Sequence, residues 1–151
     1  MTIGTLHTNL QDFTMGGNQP PYTYLGVATG FMPGVTTLAA SGVSCAMPLA
    51  HLAAHTLECA LKAYISRDGD DSKARGPIQH NLSGLWALAH QEGLKIAATP
   101  YDWVATLSGL HDKPFYLRYS EGVNGVILPS AEPMATELKE LIEVVRAALV
   151  V

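Results

Sequence analysis

The stretch Pro48–Asp70, PLAHLAAHTLECALKAYISRDGD, constrains this chain most. Read as a helix, it is apolar almost all the way round except for one narrow line of His51, His55, Glu58 and Lys62. At roughly 100° per residue these four side chains fall within about 60° of one another. Leu49, Leu52, Ala53, Leu57, Ala60, Leu61, Tyr64 and Ile65 cover the remaining surface. A helix this apolar belongs at the centre of its fold. Its polar line is then either a thin solvent face or a buried network that needs partners from elsewhere in the chain.

The other segments supply what could surround such a helix. Residues 1–32 hold Gly16, Gly17, Pro20, Pro21, Gly26 and Gly30 without sustained periodicity, and are predicted to form an arm or loop. The arm's Tyr22, Tyr24, Leu25, Val27, Phe31 and Met32 are apolar enough to pack on the body or on a partner subunit. The bundle proper is expected over residues 33–151. Pro33–Cys45 offers a partial stripe of Val35, Leu38, Ala39 and Val43, and Pro48 suits the first turn of the central helix. The polar loop Arg67–Pro77 ends that helix.

His80–Glu92 follows as a helix, with Leu82, Leu85, Trp86 and Ala89 in phase, Asn81 as cap and Gly93 as left-handed stop. Thr99-Pro100-Tyr101-Asp102 predicts a cap, a first-turn proline and a short helix to His111. Phe115–Tyr119 and Val123–Leu128 are expected to be short extended pieces, as in a small hairpin. Pro133–Val150 closes the chain as an amphipathic helix carrying Met134, Leu138, Leu141, Val145 and Leu149 on one face. The predicted class is all-α, an antiparallel helical bundle of about five helices with an irregular loop before the last one.

Composition narrows the function. The 151 residues are 48% hydrophobic, enough for one sizeable core. A net charge of −4, from 9 basic and 13 acidic residues, argues against a general electrostatic hold on nucleic acid and leaves only a local patch. No run approaches the ~18 apolar residues of a membrane span, and the opening MTIGTLHTNL lacks a signal-peptide pattern. A cytoplasmic protein without membrane partners is therefore expected. Cys45 and Cys59 lack metal spacing and read as small apolar side chains without a disulfide.

Three constellations could carry chemistry. His51 and His55 stand four residues apart, and Glu58 three further on, so one helix face could offer metal ligands. The order HLAAHTLE does not place the glutamate between the histidines as a zinc-protease helix does, and no second ligand cluster accompanies it. Neither a metal nor a cofactor is expected, and His51, His55, Glu58 and Lys62 read as a structural polar network. Arg75 and His80, in RGPIQH, could serve phosphodiester chemistry, the imidazole moving a proton and the guanidinium stabilising phosphorane charge. The third set, His111, Arg118 and Tyr119 in LHDKPFYLRYSEG, could bind phosphate or a base with Lys62. Alternatively, Arg118 supplies the partner that a buried Glu58 requires. Walker sequences, glycine-rich phosphate loops and nucleophile elbows are absent.

HLAAHTLECALKAYISRDGD, HNLSGLWALA and PFYLRYSEG, in this order, resemble the HEPN family, the higher eukaryotes and prokaryotes nucleotide-binding helical domains. The first matches an A/H-x-x-E-x-x-L-K-A helix ending in a glycine loop, the second the start of the following helix, and the third a tyrosine-and-arginine loop. The similarity spans roughly residues 34–150. It implies a bundle that forms a homodimer and binds nucleotide or RNA, or acts with a partner protein from a neighbouring gene in a toxin–antitoxin or defence system. Some members are implied to be metal-independent ribonucleases using an arginine four to six residues before a histidine, a spacing that Arg75 and His80 satisfy. Gly76-Pro77 after the arginine departs from that pattern, so the resemblance favours binding over catalysis. A purely structural protein-interaction module is the remaining expectation.

Overall fold

The structure, a computed structural model, describes residues 20–119, 122 and 124–149. These are all-α, with five helices: α1 (Pro20–Ala40), α2 (Ala46–Ile65), α3 (Leu82–Gln91), α4 (Asp102–His111) and α5 (Ala131–Leu149). A 3-10 turn at Val43–Cys45 lies between α1 and α2, and two more, Ser72–Ala74 and Gly76–Ile78, lie between α2 and α3. As the apolar surface of its sequence requires, α2 is the central element. It packs against α1, α3, α4 and α5, while α1 also meets α5 and α3 meets α4. None of the helices is long and apolar enough to cross a membrane.

The N-terminal expectation needs correction from residue 20 onward. Residues 20–32, predicted as arm, form the first half of α1, which runs through Pro33 to Ala40. Glycine and proline lower intrinsic helicity, but tertiary burial overrides propensity. Ala28, Met32 and Val35 recur at helical spacing and are buried in the core. Gly34 lets α1 approach α2 closely, since a Cβ there would sit 2.8 Å from a terminal carbon of Leu52. The remainder of the predicted arm, residues 1–19, lies outside the described residues.

The central helix stops at Ile65, just ahead of the polar loop Arg67–Pro77 that the sequence predicts to end it. There the Ser66 amide and hydroxyl both donate to the Lys62 carbonyl, and Asp68 and Asp70 accept the Asp70 and Ser72 amides, replacing helical bonds with loop bonds. The third helix follows its sequence signals. Asn81 accepts from the Gly84 amide, and the helix ends in a Schellman pair, with Gly93 donating to His90 and Leu94 donating to Ala89 around a φ of +102° at Gly93.

Two further expectations are corrected. The fourth helix begins at Asp102, so Thr99 does not cap it and Pro100 lies outside its first turn. The ring of Tyr101 packs on Trp86 and Trp103, and its backbone stays extended at ψ 149°. Phe115–Tyr119 is a run of turns instead of a strand. Pro114 has no amide to give to a ladder, and the Arg118 and Tyr119 amides both return to the Phe115 carbonyl. No strand occurs among the described residues of 123–128 either.

Candidate functional site

The polar line of α2 is largely internal. Glu58 and Lys62 are both buried, and the Lys62 ammonium donates to Glu58 Oε1 at 2.6 Å. The other carboxylate oxygen, Oε2, lies 2.6 Å from His111 Nε2 and 3.1 Å from His80 Nδ1. Three elements therefore converge on one carboxylate: the middle of α2, the last residue of α4, and the loop entering α3. Side-chain exposure is 7% for Glu58, 1% for His111 and 26% for His80, so the cluster opens to solvent on the His80 side alone.

Local structure holds each imidazole. Asn81, next to His80, caps α3, and its Oδ1 also accepts from the Ser108 hydroxyl of α4. That ties the His80 loop to the helix that carries His111. The rings of His80 and His111 meet edge to face at 5.7 Å, and Phe115 stands edge-on to His80 at 5.8 Å. Phe115 reaches this position from a left-handed backbone, φ 64°.

Burial pushes the Glu58 carboxyl upward, but hydrogen bonds from His111, Lys62 and His80, together with the Lys62 charge, outweigh it and bring its pKa down to about 2. Glu58 is therefore an anion at neutral pH. Burial and the Glu58 charge push the Cys59 thiol up to about 12, which leaves it protonated and chemically quiet.

The structure separates several residues that the sequence grouped. His51 and His55 make no hydrogen bond to Glu58. His55 lies against Phe31 and 3.9 Å from Cys59 Sγ, whereas His51 has a buried Nδ1 with no partner among the described residues. Burial lowers both imidazole pKa values, helped at His51 by the Arg118 and His111 charges and opposed at His55 by Glu58. The expected Arg118–Glu58 bridge does not form, because two histidines and Lys62 already occupy the carboxylate. Arg118 is exposed and sits 5.9 Å from the Phe115 ring centroid, and Tyr119 is exposed too. Lys62, expected among the ligand contacts, is committed to Glu58.

Arg75 and His80 are held apart in function. Arg75 Nε and Nη2 donate to Asp71 at 2.9 and 2.7 Å, and His80 is held by Glu58. The Arg75 hydrogen bonds keep the Asp71 carboxyl below the ordinary carboxylate range. Among the described residues no contact joins Arg75 to His80.

Tyr24 is the residue that sequence reasoning missed. Its ring lies 5.9 Å from Lys62 Nζ, and its hydroxyl donates to the same Asp71 oxygen that Arg75 holds. Burial, then this bond to an anion, raises its pKa. Helical spacing with Ala28 and Met32 was the available signal.

A separate groove of about 610 Å³ is lined by Tyr101, Trp103, Leu128 and Pro129 with Asp102 and Glu137. It brings no basic side chain, and so does not suit a phosphate.

No protein-family model matches this sequence, and neither a curated protein nor a solved structure matches it.

Proposed function

We propose that this chain is a HEPN-like helical protein that binds the phosphate of a nucleotide or RNA on the face formed by His80, Phe115, Arg118 and Tyr119. The observation that carries this reading is the exposed Arg118 beside the His80–Phe115 ring pair, with no carboxylate in salt-bridge range among the described residues. A guanidinium can grip phosphate bidentately, and an exposed tyrosine offers a face to a base. Glu58 and His111 act behind this face, fixing the His80 ring through Nδ1 and leaving Nε2 as its outward nitrogen. Lys62 is part of that support and not of the contact.

Binding is favoured over cleavage. A ribonuclease built on Arg75 and His80 would need both at one phosphodiester, and Arg75 is engaged by Asp71. The acting unit in this reading is a homodimer working with RNA, a nucleotide or a partner protein in a toxin–antitoxin or defence setting.

The test is a titration of the purified chain with adenosine and guanosine nucleotides and a short single-stranded RNA, in chelator, followed by calorimetry. Saturable binding that weakens about tenfold or more in Arg118→Ala and is screened by salt supports the proposal. Binding that is absent, or indifferent to Arg118, sinks it. Solution scattering at micromolar concentration checks the dimer, for which a monomer is the contrary result.

A further inference from the structure

We propose that Glu58, His80 and His111 form a binding site for a first-row divalent transition-metal ion, a function that shares His80 with the phosphate face but does not depend on phosphate being bound there. The ligand atoms Glu58 Oε2, His80 Nδ1 and His111 Nε2 all lie within 4.8 Å of one another. They come from three different elements, and both imidazoles aim at the same carboxylate oxygen. Two nitrogens and one oxygen gathered in this way are the donor set of zinc, cobalt or ferrous iron. Magnesium and calcium, which favour oxygen, fit it poorly.

The surroundings suit an ion there. Lys62 occupies Oε1 and leaves Oε2 to the metal, which is how an outer partner orients a ligating carboxylate. Bonds of about 2.0–2.1 Å in a tetrahedral arrangement place ligand atoms roughly 3.3 Å apart, so His111 Nε2 retreats by about 0.7 Å and His80 Nδ1 by a few tenths. His80 opens the fourth position to solvent, where an ion can enter and an exchangeable ligand can sit. Glu58 and Lys62 cancel, so the bound dication calls for an anion there, hydroxide or phosphate. Cys59 is not a competing ligand, since its thiol is held protonated and faces His55.

The proton balance is simple. Each neutral imidazole shifts its N–H to the other ring nitrogen, His80 from Nδ1 to Nε2 and His111 from Nε2 to Nδ1, and the metal takes the freed lone pairs without proton release from the protein ligands, while a water that becomes hydroxide in the fourth position releases one proton to solvent. An imidazolium would release one proton on binding.

Cobalt(II) titration of the full chain after chelator stripping tests the site by the visible spectrum, with zinc competition by calorimetry for stoichiometry. The expected result is one ion per chain, tetrahedral-type cobalt bands, and at least tenfold weaker binding in His80→Ala. His80 is the informative ligand because it lies at the open edge and its loss leaves the core intact. A His51→Ala/His55→Ala double variant is expected to keep the spectrum. The proposal is overturned if the parent chain shows no saturable binding below millimolar metal, if His80→Ala binds as the parent does, or if the double variant abolishes binding. Because nucleotide binding is measured in chelator, failure of either proposal is visible without the other.

Discussion

The ammonium of Lys62 lies 2.6 Å from Glu58 Oε1, one helical turn away, with both side chains nearly closed to solvent. On an exposed helix this pairing contributes a few tenths of a kcal/mol. Buried, it is obligatory: the carboxylate cannot be left without its cation. Lys62→Met is therefore expected to destabilise the fold by about 3 kcal/mol in urea unfolding, whereas Glu58→Leu/Lys62→Met together cost less than the sum of the single changes. Additive losses would show that the two side chains act independently.

Stability should fall in acid through Glu58. Its folded pKa of about 2 lies below the ordinary 4.5, so between those values the unfolded chain binds the proton more readily. The stabilisation is fully present above about pH 4.5 and is lost as pH falls toward 2, with a full magnitude of about 3 kcal/mol. Urea midpoints measured from pH 6 to pH 2 should drop steeply for the parent and much less for Glu58→Gln. Parallel curves for the two proteins would contradict this.

Asn81 joins two helices through one oxygen, which accepts from the Gly84 amide and the Ser108 hydroxyl. Asn81→Ala should cost about 1–2 kcal/mol as a lost cap. It should also loosen His80, read as a changed imidazole resonance by NMR. A stability loss with an unchanged His80 signal would separate the cap from the site.

Gly93 ends α3 at φ +102°, and a Cβ there would meet only the Tyr64 hydroxyl, at an ordinary 3.5 Å. The penalty of Gly93→Ala is thus expected to come from the backbone alone, about 1–2 kcal/mol by thermal or urea unfolding. A neutral substitution would mean that the Schellman turn relaxes freely.

Legibility in the sequence followed the range of the interactions. Short-range chemistry could be read directly: Asn81 as cap, Gly93 as stop, and the Met134–Leu138–Leu141–Val145 stripe of α5. The start of α1 was hidden because its glycines and prolines oppose helix formation locally, and only burial of Ala28, Met32 and Val35 against α2 reverses that balance. Tyr101 moved the start of α4 for a similar reason, through contacts with Trp86 and Trp103.

The candidate site divides in the same way. Periodicity alone placed Glu58 and Lys62 on one line of an otherwise apolar helix, and so determined that a buried carboxylate would need partners. Which partners it took was a matter of tertiary structure. His80 and His111 stand 22 and 53 residues away from Glu58, and only the packing of α3 and α4 on α2 brings them to its Oε2. The same packing leaves Arg118 at the surface and clears His51 and His55 from the carboxylate. A buried carboxylate takes whichever donors the fold delivers to it, and sequence spacing carries no record of that delivery.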